Sequence, residues 1–320
     1  MNAMTRRAAR LGSTFGIGLW LLAGLGLSTV QVAAAAEQPV AAMAESQILE
    51  KQQSLGFTGP VREGRYLRVD DFDMWVEVSG EGPPLMVLNG GFGMTTMAES
   101  MVSEFAKYFT VYSFDARGHG RSGFGSGPVT YAREAADVVA LMDVLGLETA
   151  HIFGHSDGGC ASLHLLFDYP HRIRTSTLSG TPYHQSVYNE MAKGFVKDFP
   201  ELLASGKPDP LGFTPMLLKM GMSEGKIQRL GGKLDRAWST TPNFTLEMLT
   251  TIDNPVLVVE AGADEFIAPK HFVEITQAIP NARAINLPEM THNPRPYVAQ
   301  LAKAAAELAA AFEVEGEEKK

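Results

Sequence analysis

From residue 66 onward, apolar residues fall into short continuous runs separated by longer stretches with helical spacing. Residues 66–70, 74–78 and 85–88 read as strands, the last entered through a Gly82-Pro83-Pro84 turn. The rhythm then changes. Residues 97–108 and 132–145 carry the helical period, and each is followed by an apolar strand, at 111–114 and 150–153. Strands alternating with helices predict βαβ units and a mostly parallel sheet. The run Pro255-Val256-Leu257-Val258-Val259 suits a strand covered on both faces. A strand at 284–287 and an alanine-rich helix at 297–312 close the pattern, with a charged, frayed tail expected at 314–320. The fold expected is of the α/β class, with its core in residues 63–181 and 246–313.

Residues 182–245 break the alternation. Helix-like pieces there are punctuated by Gly and Pro and carry Met191, Met216, Met220 and Met222. An insertion after a central strand is placed to cover the carboxyl ends of the strands, where open α/β sheets bind ligands, so a helical lid is expected. The methionines suit the small core of such a lid, and their adaptable thioethers suit an acyl pocket.

At the other end, Arg6, Arg7 and Arg10 flank the start of an apolar stretch, residues 11–32, that runs into Ala33-Ala34-Ala35-Ala36. This order of basic, apolar and small residues predicts a bacterial export signal over residues 1–36, by the Sec or the twin-arginine route, and a periplasmic or secreted protein. An uncleaved membrane anchor is the alternative, because the stretch approaches the roughly 20 residues that span a bilayer. After cleavage no stable membrane insertion is expected. Residues 37–62, rich in Ala, Gln and Glu, read as a linker, and the remainder has the length of a single domain.

Charge and composition narrow the partners. The formal net charge is −9, and no Lys/Arg cluster lies beyond the signal, which argues against a nucleic-acid surface and for a small-molecule partner. Cys160 is the single cysteine, so no intramolecular disulfide can form, and it reads as a small buried hydrophobe. Paired His or Cys/His clusters at ligand spacing are missing, so neither metal nor cofactor is expected.

The chemistry concentrates where the apolar run at 150–153 meets Gly154-His155-Ser156-Asp157-Gly158 and a helix-like segment resumes. A serine on a sharp strand-to-helix turn points its hydroxyl away from the sheet, and glycines two residues to either side remove colliding side chains. The same spacing recurs at Gly221-Met222-Ser223-Glu224-Gly225, but there it follows a helix-like segment, the wrong context for such a turn. Ser156 is the candidate nucleophile.

A serine hydroxyl needs a base, usually histidine, oriented by a carboxylate. On a strand-turn-helix scaffold the order along the chain is Ser, acid, His. Of eight histidines, only His271 and His292 follow both the serine and the next apolar strand. His271 falls in a helical segment, whereas His292 sits in a Pro288-to-Pro294 loop after the last strand and is the candidate base. The strand at 255–259 leads into Asp264 and Glu265; the shorter Asp264 is preferred as the acid and Glu265 stays as the alternative. Two N–H donors must meet a tetrahedral oxyanion: Asp157, following the nucleophile, and Gly91 or Phe92 in the Asn89-Gly90-Gly91-Phe92-Gly93 loop. His155 must point elsewhere on so tight a turn, and the remaining histidines read as packing or surface residues.

Taken in order, these motifs resemble the α/β-hydrolase fold family, from about Tyr66 to Phe312. Phe114-Asp115-Ala116-Arg117-Gly118-His119-Gly120-Arg121-Ser122 looks like the segment after that family's fourth strand, Gly154 to Gly159 like its nucleophile turn, and Asp264 and His292 fall where its acid and base belong. The resemblance implies that the 115–122 segment is structural. Asn89 stands where many relatives have histidine, and the Gly262-to-Asp264 spacing is one residue shorter than a common pattern. A serine rather than an aspartate at the nucleophile position argues against the dehalogenase and epoxide-hydrolase branches. The function expected is that of an exported serine hydrolase cleaving a small or medium carboxylic ester through an acyl-enzyme. The alternatives are an aminopeptidase or amidase similar to proline iminopeptidases, with a lid acid among Glu190, Asp198, Glu201, Glu224 and Glu247 gripping an amine, and a non-catalytic ligand-binding protein.

Overall fold

The computed structural model describes residues 63–209 and 212–318. The expected export signal and the linker lie outside the described residues. Eight strands form one sheet: β1 (Glu63–Val69), β2 (Phe72–Ser79), β3 (Pro84–Leu88), β4 (Thr110–Phe114), β5 (Ala150–His155), β6 (Ile173–Ser179), β7 (Val256–Ala261) and β8 (Ala282–Leu287), in the order β1-β2-β4-β3-β5-β6-β7-β8. β1 and β2 are antiparallel to their neighbours, and β3 through β8 run parallel. The strands the sequence marks as continuously apolar lie in the interior of the sheet, flanked on both sides. Met86, Val87 and Leu88 of β3, Ile152 and Phe153 of β5, and Val256, Val258 and Val259 of β7 are all buried, as a sheet covered on both faces requires.

Helices α1 (Glu99–Phe105), α2 (Tyr131–Leu145), α3 (Asp157–Asp168), α8 (Lys270–Ala278) and α9 (Val298–Glu318) belong to this alternating core. Local signals set their ends. The Thr130 side chain accepts from the Arg133 N–H to start α2, and Gly146, at φ 74°, ends it in the left-handed region. Two expectations differ from the structure. The helix read at 97–108 is a 3₁₀ turn at Thr95–Met97 followed by α1 alone, because the chain must turn through residues 106–109 to enter β4. Residues 314–318, expected to fray, continue α9. Glu313 there pairs with Arg174 of β6 at 2.9 Å, tying the helix down just before its last turn.

Between β6 and β7 lie α4 (Glu190–Ser205), α5 (Phe213–Lys219), α6 (Glu224–Thr240) and α7 (Leu246–Leu249). Asn189 caps α4 by accepting from the Ala192 N–H at 2.9 Å, and Ser223 caps α6 by accepting from the Lys226 N–H at 3.3 Å. Along α6 the residues Ile227, Leu230, Leu234 and Trp238 recur at helical spacing and are all buried. We call α4 to α6 the cap. Because β3 and β5 to β8 are parallel, their carboxyl ends share one edge of the sheet, and the loops leaving them converge there.

Candidate active site

Ser156 is the residue between β5 and α3, with φ 54° and ψ −117°. A non-glycine residue at positive φ costs about 1–3 kcal/mol and persists only where its surroundings hold it. Here the Ser156 N–H donates to the Ser179 carbonyl at 2.9 Å, and its own carbonyl accepts from the Cys160 N–H at 3.0 Å. The flanking glycines are steric necessities. A Cβ on Gly154 would press on the Ser162 hydroxyl and the Gly158 carbonyl, and one on Gly158 would press on the Leu88 carbonyl. The turn thereby aims the Ser156 hydroxyl away from the sheet, toward the loops that follow β7 and β8.

Those loops bring a histidine and a carboxylate to it. His292 Nε2 lies 3.0 Å from Ser156 Oγ, and His292 Nδ1 lies 2.9 Å from Asp264 Oδ2. Asp264 is an acceptor there, so the ring carries its proton on Nδ1 and leaves the Nε2 lone pair facing the serine O–H. The Asp264 side chain is fully buried, and its second oxygen accepts from the backbone N–H groups of Phe266 at 2.8 Å and Ile267 at 2.9 Å. Two backbone donors on one oxygen and an imidazole on the other fix the direction of the carboxylate. Glu265 is turned elsewhere: its exposed carboxylate accepts from the His292 backbone N–H at 2.8 Å and does not meet the imidazole. It orients the loop that carries the histidine. The His292 ring neighbours those of Phe266 and His155, at 4.8 and 5.0 Å between centroids. Burial drives the His155 imidazole well below the usual histidine range, with the neighbouring His292 acting in the same direction.

The loop after β3 reaches the same point. The Gly93 N–H closes a turn on the Gly90 carbonyl at 2.8 Å, and Phe92 sits at φ 58°. Gly91 allows close approach: a Cβ there would come within 2.5 Å of Trp238 Cζ2 and 2.9 Å of Asp157 Oδ2. Asp157, the first residue of α3, is buried, and its carboxylate accepts from the Trp238 Nε1–H at 2.7 Å and the Tyr131 hydroxyl at 3.0 Å. Burial pushes this carboxyl up to about 6, against the lowering effect of those two donors. Asn89, Tyr131 and Asp157 also border a cavity of about 20 Å³ behind the loop, with His119 and Glu134.

In front of the serine opens a cavity of about 400 Å³. Ser156, His292, Gly91 and Asp157 line one part of it. The rest is largely aromatic and aliphatic: Phe92, Phe195, Phe199, Phe213, Trp238 and Phe266, with Met97, Met101 and Met216. Phe195 and Phe199 stack at 4.6 Å, and Phe213 meets Phe199 edge-on at 4.9 Å. Apolar walls around a few convergent polar groups are the usual composition of a small-molecule site.

Residues 83–215 match the sequence model of a family described as the alpha/beta hydrolase fold. The chain has the α/β-hydrolase fold. A solved enol-lactonase from Burkholderia xenovorans LB400 superposes on 77% of this chain and all of its own, with a TM-score of 0.60 and 21% identity, a likeness of fold. Among curated relatives, a protein of Azorhizobium caulinodans named as a carbamate hydrolase is 31% identical over 35% of this chain and 43% of its own length. A zearalenone hydrolase of Bionectria ochroleuca is 32% identical over 34% of this chain and 43% of its own. The matched segment spans less than half the length of these two curated relatives.

Within this hydrolase-fold chain several other residues singled out from sequence fall outside the site, while His155 and Met216 line its cavity. Ser223 is a helix cap in the cap region, and His271 bonds Glu274 at 2.7 Å on α8. Cys160 is buried behind the serine, its thiol directed at the Pro182 carbonyl at 3.4 Å. Of the lid methionines, Met216 lines the cavity, Met222 packs in the core and Met191 is exposed. Sequence reasoning missed Trp238 and Tyr131. The available signal was Asp157 itself: a carboxylate at the base of a buried turn needs donors, and Trp238 ends the apolar stripe of α6.

Proposed function

We propose that this protein is a serine hydrolase that cleaves a small or medium carboxylic ester through an acyl-enzyme. The observation that carries the reading is the unbroken hydrogen-bonded series from Ser156 through His292 to the buried Asp264. On this reading the Ser156 O–H passes its proton to His292 Nε2 as Oγ bonds to the substrate carbonyl carbon. The N–H groups of Asp157 and of Gly91, with Phe92 as the other candidate, stabilise the resulting oxyanion. Collapse of the intermediate breaks the bond to the alkoxy group, which takes the proton from His292 and leaves as the alcohol. Water repeats the sequence: His292 accepts its proton, its oxygen attacks the acyl carbon, and Ser156 Oγ departs reprotonated. Asp264 accepts from His292 Nδ1 throughout and stabilises the imidazolium.

The names of the relatives, carbamate hydrolase, zearalenone hydrolase and enol-lactonase, agree with hydrolysis at a carbonyl centre. The apolar cap side of the cavity favours a neutral acyl group over an amine, and the carboxylates that line the cavity, Asp157 and Glu265, come from the core and already accept from Trp238 and Tyr131 and from the His292 N–H. An aminopeptidase-like reading calls for a cap carboxylate facing the substrate, yet Glu190, Asp198, Glu201, Glu224 and Glu247 are all exposed and outside the cavity lining. We further propose an exported protein, on the export-signal pattern of residues 1–36; fractionation of a bacterial host expressing the full chain tests this.

The direct test is fluorophosphonate treatment of the folded protein, followed by peptide mass spectrometry. Modification at Ser156, lost on denaturation, together with turnover of a short-chain aryl ester, is the expected result. A folded protein that binds such an ester without cleaving it, or reacts at another residue, overturns the reading.

A further inference from the structure

We infer that Trp238 is a positioning residue that links the seating of the cap to the geometry of the oxyanion site, an inference that rests on the serine-hydrolase reading. Trp238 sits near the end of α6, 82 residues after the candidate nucleophile, yet it touches both segments proposed to supply the oxyanion N–H donors. Its indole N–H donates to Asp157 Oδ2 at 2.7 Å, while the Tyr131 hydroxyl fills Oδ1 at 3.0 Å. Both oxygens of a buried carboxylate are thus engaged by protein donors. Asp157 is tied on one side to α2 and on the other to the cap.

The same ring supports the opposite segment. The Gly91 backbone lies in the corner between the Trp238 ring and the Asp157 carboxylate, where a Cβ would come within 2.5 Å of one and 2.9 Å of the other. Phe92, held at φ 58°, meets Trp238 edge-on at 5.9 Å, and meets Phe199 of α4 edge-on at 5.7 Å. A strained residue keeps its conformation only while its neighbours enforce it, and two of those neighbours belong to the cap. A shift of α6 therefore removes a donor from Asp157 and a wall from Gly91 and Phe92 in one motion. Oxyanion stabilisation depends on donors fixed in place before charge develops, so a cap that is not seated leaves the serine, histidine and acid in place but the oxyanion donors loose.

The test compares the wild type with W238F, D157A and the double variant, in ester turnover and in the rate of fluorophosphonate reaction at Ser156, with thermal melting as the check on folding. Removing one oxyanion donor costs about 10²–10³-fold in kcat; loosening donors through a support is expected to cost about 10–100-fold, with KM moved less than about threefold. Phosphonylation should slow in parallel, since its P=O occupies the same donors. Because the two side chains act through one bond, the double variant should fall no more than about threefold below the worse single variant. D157A keeps the indole ring and the Asp157-position N–H, so it reports the same loss if W238F does not fold. A W238F enzyme within about twofold of wild-type kcat, a change confined to KM, or fully multiplicative losses in the double variant would each overturn the inference while leaving the hydrolase reading intact. A wild type that neither reacts at Ser156 nor turns over ester would overturn both.

Discussion

The core edge and the cap meet at one serine but are built on different principles. At the core edge, parallel strands deliver Ser156, Asp264 and His292 from three loops, and hydrogen bonds of 2.8–3.0 Å fix each group to the next. In the cap, the side chains reaching the cavity are mainly rings, with Val196 and Met216, and the rings meet by packing, as between Phe195, Phe199 and Phe213. Directional bonds specify a reaction geometry that tolerates little displacement. Apolar packing specifies a volume and accepts exchange of shapes of similar size. On the proposed reading, the division assigns bond breaking to the core edge and choice of substrate to the cap, with Trp238 as the cap side chain that crosses the line.

Substitutions at the two regions should therefore separate kcat from KM. The largest effect is expected for Ser156→Ala: a loss of about 10⁴-fold or more in kcat on an aryl ester, with the denaturation midpoint nearly unchanged. Next comes Asp264→Asn, for which a loss approaching about 10⁴-fold is expected, because an amide can turn a donor toward Nδ1 and favour the wrong tautomer. Glu265→Gln sharpens that result. Its carboxylate holds only the His292 backbone N–H, so a loss under about tenfold is expected, and parity between the two variants in steady-state kinetics would contradict the assignment of Asp264 as the acid.

In the cap, Phe195→Ala should raise KM for a bulky aromatic ester by about tenfold, because it removes one apolar wall of the pocket, and change an acetyl ester much less. Equal effects on both esters would erase the proposed division.

A separate effect, on stability rather than turnover, concerns pH. Burial raises the Asp157 carboxyl from 3.8 to about 6, with Tyr131 and Glu134 of α2, Cys160 of its own helix, Tyr188 ahead of α4, and His292 as its titratable neighbours. The folded value lies above the unfolded one, so the protonated form is favoured by folding. The stabilisation is complete below about pH 4 and is lost as pH rises through about 6, an effect on the order of 3 kcal/mol. Relative to Asp157→Asn, the wild type should gain stability in denaturant titrations as pH falls across that window. A gap that stays constant would mean the carboxyl titrates normally.

Much of this arrangement can be read along the chain. Apolar runs located the central strands, and the Gly154-to-Gly158 pattern located a turn whose glycines the backbone requires, because both properties depend on residues a few positions apart. The end of α9 was not legible, since it depends on an ion pair between Glu313 and Arg174 that the local sequence does not announce. The cap was legible as an interruption of rhythm, but which of its residues face the ligand was not: Met216 and Met191 differ in exposure through helix orientation alone.

By itself the sequence determined the α/β alternation, the strained turn at Ser156, and the order of serine, carboxylate and histidine, since each is written in near neighbours or in chain order. Only the tertiary structure decided that β4 lies between β2 and β3, that Asp264 rather than Glu265 meets the imidazole, and that Trp238 closes on Asp157. Adjacent residues such as Asp264 and Glu265 point in different directions from one loop, and what each reaches is set by which strand end the sheet places alongside it.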